Sequence, residues 1–121
     1  MDFKLELVIV PVSDVDKAKA FYAERAGFNV DHDHTVDENI RFVQLTPPGS
    51  PCSIAIGKGV TDAPPGTAVG MQLVVRDIEA ARAELAGRGV EVSEIIRGPG
   101  GAFVSFSDPD GNRWSVQDVS G

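Results

Sequence analysis

Read from its N-terminus, the chain alternates between two hydrophobic periods. The opening stretch MDFKLELVIVPV carries apolar residues in the two-residue rhythm of a strand, over about Leu5–Val12. The rhythm then changes to i, i+3, i+7 at Val15, Ala18 and Tyr22, the buried stripe of an amphipathic helix. Ser13, three residues before Asp16, resembles the capping pattern that starts a helix, and Gly27 supplies its left-handed stop. Three further strands are predicted near 28–36, 40–46 and 52–57.

The same order then recurs. A strand at Gly70–Val75 enters a helix near Arg76 with Ile78, Ala81 and Leu85 on one face; Gly87 or Gly89 stops it, and strands follow near 90–96, 102–107 and 113–119. VSDVDKAKAFYAERAGFNV, from Val12, aligns with VRDIEAARAELAGRGVEV, from Val75, at an offset of 63 residues that becomes 62 after a one-residue gap. Val12/Val75, Asp14/Asp77, Ala18/Ala81, Ala20/Ala83, Gly27/Gly89 and Val30/Val92 are identical pairs, and Pro47 and Gly49 fall on Pro109 and Gly111. A helix, its stop and a distant Pro-x-Gly turn all in phase point to an internal duplication. The fold class that follows is α+β, built from two tandem βαβββ modules. Residues 1–121 read as one domain, with module one over about 1–57, a linker over about 58–68 and module two over about 69–121.

Strand parity divides each sheet into two faces. One register collects Val8, Val10, Val12, Phe42, Cys52, Ile54, Ile56, Met71, Leu73, Val75, Val104, Phe106, Trp114 and Val116, and is where the helices should pack. Gln44 does not fit it. The other register is mixed: Leu7, Ile9, Pro11, Arg41, Val43, Ser53, Ala55, Gly70, Gln72, Val74, Phe103, Ser105, Arg113, Ser115 and Gln117. Curled inward, such a face would line a cavity with a few converging polar groups; left flat, it would be a solvated sheet surface.

Composition narrows the function classes. With 18 acidic against 11 basic side chains the net charge is −7, which repels phosphate backbones and makes nucleic acid and anionic membrane poor partners. No apolar run approaches the roughly 20 residues of a membrane span. The N-terminus reads as a first strand rather than a signal peptide. A single cysteine, Cys52, permits no internal disulfide and fits a reduced cytoplasmic setting.

SDPDGNRW, a turn leading into the last strand, and the helix entries VSDVDKA and VRDIEAA carry a resemblance that covers nearly the whole chain. The sequence resembles the vicinal oxygen chelate superfamily, which includes glyoxalase I, ring-cleaving dioxygenases and bleomycin-resistance binding proteins. The resemblance implies two modules whose sheets form a curved, cup-like surface with helices on the outer face. In metal-dependent members, ligands stand on the first and last strand of each module. The corresponding residues here are Leu7, Ser53, Gly70 and Ser115. Leucine and glycine have no ligating side chain, and a neutral serine hydroxyl is a poor ligand for a divalent ion. No metal site and no cofactor are expected.

The resemblance therefore favours a metal-free binding protein of the bleomycin-resistance type, a cytoplasmic homodimer that holds a small molecule, such as an antibiotic or other natural product. The expected ligand-binding residues are Arg41, Ser53, Gln72, Phe103, Ser105, Arg113, Ser115 and Gln117. The alternative is a metal-independent enzyme in which Arg41, Ser105, Arg113 or Gln117 polarises a bound carbonyl. Neither Ser53 nor Ser115 has a basic partner in the sequence pattern, so no nucleophile is expected. His32 and His34 read as polarity on an exposed edge strand, with surface metal capture as the competing reading. Phe103 is either a stacking platform or filler at one end of the cup, and Trp114 reads as core.

Overall fold

A computed structural model describes residues 1–119; the last two positions of module two, 120 and 121, lie outside the described residues. Module one runs β1 (Leu7–Ile9), α1 (Val15–Ala20, continuing through a π-helical turn at Phe21–Arg25), β2 (Asn29–Asp37), β3 (Ile40–Thr46) and β4 (Ser53–Lys58). Module two repeats the order as β5 (Met71–Val75), α2 (Ile78–Gly87), β6 (Ile96–Gly98), β7 (Gly101–Ser107) and β8 (Arg113–Asp118). Each forms a four-stranded mixed sheet, in the orders β1-β4-β3-β2 and β5-β8-β7-β6. The pairs β1/β4 and β5/β8 are parallel and the others antiparallel. This is the α+β architecture of two tandem βαβββ modules.

Three local expectations are corrected. The helices are capped by Asp14 and Asp77, the aspartates of the repeat, rather than at Ser13: the Asp14 carboxylate accepts from the Lys17 amide, and that of Asp77 accepts from the Glu79 and Ala80 amides. Ser13 instead donates its hydroxyl to Asp110, 2.6 Å away. The strand expected at 90–96 is shortened to Ile96–Gly98. Upstream of it, the Ser105 amide donates to the Ser93 hydroxyl rather than to a backbone carbonyl, which interrupts the ladder.

The third correction concerns β3. Its register pairs Val43 with Ile56 and Leu45 with Ile54, so Arg41, Val43 and Leu45 face the helix, while Phe42, Gln44 and Thr46 face the mixed side. The alternation in IRFVQLT is ambiguous because both registers hold apolar residues. Burial decides it: Val43 and Leu45 are fully buried, whereas Arg41 lies where a long stem can cover apolar surface and still deliver its charge to the edge. In module two the observed faces match the parity expectation throughout.

The apolar faces of both sheets meet in one core. Val10, Val43, Leu45, Ile54 and Ile56 come from the first sheet, Val104, Phe106, Trp114 and Val116 from the second, and Phe21, Tyr22 and Phe28 lie between them. Phe106 stacks on Trp114 at 5.9 Å, and Trp114 in turn touches Tyr22 and Phe28 at 5.7 and 5.5 Å. The two mixed faces consequently lie on the far sides of this core.

At its centre, the Tyr22 hydroxyl donates to the buried Asp108 carboxylate at 2.7 Å and accepts from the Trp114 indole N–H at 3.0 Å. The same carboxylate takes the Asn112 side-chain amide, which also donates to the Pro11 carbonyl at 2.8 Å, and the Asn112 oxygen takes the Ala68 amide. The turn that opens β8 is thus the bolt between modules. Burial, followed by the neighbouring Asp108 carboxylate, pushes the Tyr22 phenol far above the usual tyrosine value.

Because the unfolded chain ionises its tyrosine near pH ~10 while the folded one holds the proton, stability should fall as pH rises above that value. Tyr22 is the only tyrosine in the chain. Tyrosinate absorbance should therefore appear only together with loss of the folded circular dichroism signal in an alkaline titration. Ionisation near pH ~10 with the fold intact would show that the phenol is not buried against Asp108.

Candidate functional site

The mixed face of module one is built in rows across its sheet. One row is Leu7, Ser53 and Thr46; the next is Ile9, Ala55, Gln44 and His32; the third is Gly57, Phe42 and His34. Facing position on β2 is altered by a bulge between Val30 and His32. It brings Asp31 onto the mixed side, where its carboxylate accepts from the Thr46 hydroxyl. The Thr46 and Ser53 oxygens are 2.6 Å apart. His32 and His34, outside the mixed register that parity assigned, also face this side, opposite Gln44 and Phe42, on an edge strand as anticipated.

On module two the rows are Gln72, Ser115 and Ser105; Val74, Gln117, Phe103 and Ile96; and Arg113 with Ser107. Gln72 donates to the Gln117 side-chain oxygen, and the Gln117 amide donates to the Gly100 carbonyl at 2.6 Å. Phe103 lies beside the same glycine. The Ser115 hydroxyl and the Arg113 guanidinium have no side-chain partner among the described residues.

Two cavities divide the expected site residues. One of about 370 Å³ brings Ser53, Gly70 and Gln72 together with Leu5, Val8, Met71 and Trp114. Another, of about 390 Å³, is lined by Ser105 and Arg113 with Ser93, Ser107 and Asp108. Ser115, Gln117 and Phe103 share the second mixed face without lining either. Arg41 joins none of them. It points to the helix side, where its guanidinium donates to Asp33 at 2.8 and 3.0 Å and to Asp16 at 2.7 Å. Hydrogen bonds from Arg41, then Lys19, hold the Asp33 carboxyl well below the usual carboxylate range. The bonds to Asp33 and Asp16 push the Arg41 guanidinium above its ordinary value.

The residues at the family's ligand positions do not fit a metal ion. Leu7 and Gly70 offer no donor, and the Ser53 hydroxyl is engaged with Thr46. Among the described residues, no group of three or more His, Cys, Asp or Glu side chains is placed to hold one. His32 and His34 supply two imidazoles on an exposed strand, short of a closed coordination set.

Two βαβββ modules, each with a helix on one side of its sheet and a polar-studded face on the other, define a chelate-type scaffold that here lacks its chelating side chains. The family model for the Glyoxalase/Bleomycin resistance protein/Dioxygenase superfamily matches residues 4–116, and the chain belongs to that superfamily. Among solved structures, it is similar to TnmS3, an antibiotic binding protein from Streptomyces sp. CB03234, with 36% identity, a TM-score of 0.88 and 98% of each chain covered. A superfamily member from Sphaerobacter thermophilus DSM 20745 is 34% identical with a TM-score of 0.84, over 97% of this chain and 98% of that one. The Bacillus subtilis (strain 168) protein YetH is 29% identical over 107 residues, covering 87% of this chain and 89% of its own.

Thr46, Asp31, Gln44 and Phe42 are the face residues that strand parity missed. The signal was present in DEN, residues 37–39: the Asp37 side chain accepts from the Asn39 and Ile40 amides and so fixes the β2–β3 turn.

The depressed Asp33 value sets an acid dependence. A carboxylate with a lowered folded pKa contributes stability above its unfolded value, near pH ~4, and loses it as pH falls toward the folded one. Asp33→Asn should cost about 0.5–1 kcal/mol at pH 7 in urea denaturation, and the gap to the parent should close as pH falls below about 3. A gap independent of pH would remove the ion network as its cause.

Proposed function

We propose that this protein is a metal-free small-molecule-binding protein that sequesters an antibiotic or other natural product, acting as a cytoplasmic homodimer. The observation that carries the reading is the substitution of the chelating positions. Leu7, Ser53, Gly70 and Ser115 remove the ion, while hydroxyl, amide, guanidinium and aromatic groups remain on the same faces. Such a surface can hold a ligand by shape and a few hydrogen bonds, and among the described residues no group of three or more ligating side chains stands ready to carry a water-activating ion. Neither Ser53 nor Ser115 has a histidine or lysine hydrogen-bonded to it, so acyl transfer also lacks its base. The similarity to TnmS3, which is described as an antibiotic binding protein, supports the choice of ligand class.

The homodimer is supported by the directions in which the faces turn. Within one chain the two mixed faces lie on opposite sides of the shared core, so a ligand enclosed by both kinds of face needs module two of a second copy beside module one. Leu5, Val8 and Ile9 near the free edge of the first sheet, and Val69 and Val74 near that of the second, leave apolar surface for such pairing. The bound molecule is then withdrawn from its target by mass action, without chemistry. The expected ligand-binding residues become Ser53, Gln72, Phe103, Ser105, Arg113, Ser115 and Gln117, with Phe42 and Gln44 in place of Arg41.

Sedimentation should give twice the chain mass of 12.8 kDa. After incubation with Ni, Zn, Mn and Fe(II) followed by dialysis, mass spectrometry should find no stoichiometric metal. Near-stoichiometric retention that survives substitution of both His32 and His34 would overturn the metal-free assignment, and a monomer at micromolar concentration would overturn the shared site.

A further inference from the structure

The polar groups on the two mixed faces divide into those engaged within the chain and those left unengaged. Thr46, Ser53, Gln72 and Gln117 are bonded to neighbours. The hydroxyls of Ser105, Ser107 and Ser115 and the guanidinium of Arg113 hold no partner among the described residues. These four are adjacent. On the antiparallel pair β7/β8, Ser107 lies opposite Arg113 and Ser105 opposite Ser115, all on the mixed face of module two. Side chains opposite one another start about 4.5–5.5 Å apart, so one small group can touch several of them. Every other arginine is engaged: Arg25 by the Gly89 carbonyl, Arg41, Arg82, Arg88 and Arg97 by carboxylates, and Arg76 is not free either. A guanidinium only donates, and each of the three hydroxyls can donate without giving up an existing bond. Unspent donors around a fixed positive charge match a carboxylate, whose two oxygens fit the guanidinium fork.

We propose that Arg113, with Ser105, Ser107 and Ser115, anchors the acidic end of the bound molecule, and that this face selects an aromatic carboxylic acid with its rings toward Phe103. This rests on the binding function proposed above and names the ligand class for the face of module two. Phe103 and Gln117 form the next row beyond Ser105 and Ser115, and Ile96, opposite Phe103 and exposed, extends its apolar end. At about 3.3 Å per residue, the middle of the four donors lies ~10 Å from that row, a span that a carboxylate on two or three fused rings covers. Two acidic residues border the cavity of about 390 Å³ that Ser105, Ser107 and Arg113 line. The Asp108 carboxylate is turned to Tyr22 and Asn112. Glu91 remains, so Arg113 can match one negative charge on a ligand, while a second would meet a like charge unopposed.

The test titrates 2-naphthoate, the neutral 2-naphthamide and the dianionic 2-naphthyl phosphate into the full chain by calorimetry at neutral pH. The parent should bind 2-naphthoate at least ~10-fold more tightly than the amide, and more tightly than the phosphate. Arg113→Gln, at an exposed position, should lower 2-naphthoate affinity to that of the amide and leave the amide unchanged, so the ratio falls to about one. Phe103→Ala should weaken acid and amide alike and keep their ratio. Arg97→Gln removes the same charge from a residue paired with Glu79, and should change none of the three. An acid preference that survives Arg113→Gln, or that falls equally in Arg97→Gln, overturns the anchor. Tighter binding of the phosphate overturns the choice of a carboxylate. Equal binding of acid and amide by the parent overturns the anchor while leaving the binding function standing. Absence of saturable binding by all three probes overturns this face as a site for aromatic acids, and retention of a neutral polycyclic compound would show that the binding function itself holds.

Discussion

The fold depends on one buried hydrogen-bonded cluster: Tyr22 held between Asp108 and Trp114, with Asn112 tying the same carboxylate to the backbone of module one. Every member is deep in the core or beneath it, so each polar atom left unmatched would cost about 1–3 kcal/mol. Against a total stability of about 5–15 kcal/mol, a misplacement that broke two or three of these bonds would be decisive. Apolar burial alone would let the two sheets slide over the aromatic layer. The cluster specifies one arrangement, because the phenol can donate to Asp108 and accept from Trp114 at the same time in only a narrow range of positions. Residues around the turn extend the lock, with Ser13 bonded to Asp110 and Ala68 to Asn112.

That arrangement determines what is left for function. Fixing the helix-side faces against each other commits the large apolar residues to the interior and turns the mixed faces outward. The polar groups on them are then free of structural duty to different degrees. Gln72, Gln117 and Ser53 are already bonded to neighbours, which orients them, whereas Ser115 and Arg113 are unengaged by side-chain partners among the described residues. A surface of this kind combines preset and adaptable contacts, which suits binding by shape and hydrogen-bond complementarity.

Much of the fold was legible because duplication left matching punctuation in both halves. The aspartates of VSDVDKA and VRDIEAA proved to be the helix caps, and Gly27 and Gly89 are indeed left-handed, with φ of +80° and +89°. Module two could be divided into faces by parity alone because the alternation in NRWSVQ, around Trp114 and Val116, leaves one apolar register. In β3 both registers are plausible hydrophobic stripes, so Arg41 was assigned to the wrong side and Phe42 with it. Only the pairing of Val43 with Ile56 resolves that choice, and it is a contact between distant strands. The turn SDPDGNRW was readable as a turn, but not as the bond between modules. Nothing in the local sequence says that Asp108 meets Tyr22, 86 residues away. The Asp31–Thr46–Ser53 chain was hidden for a similar reason, since a bulge moves Asp31 off the side that simple alternation assigns to it.

We propose that these faces hold a small molecule without metal and without turnover. It is tested most directly by equilibrium dialysis of EDTA-treated protein against a panel of polycyclic aromatic antibiotics, with each retained compound recovered and weighed by mass spectrometry. At least one compound should be retained in saturable stoichiometry and returned unchanged in mass, with an affinity that added Ni, Zn, Mn or Fe(II) does not alter. Conversion of a retained compound, or retention that appears only when metal is restored, would contradict it.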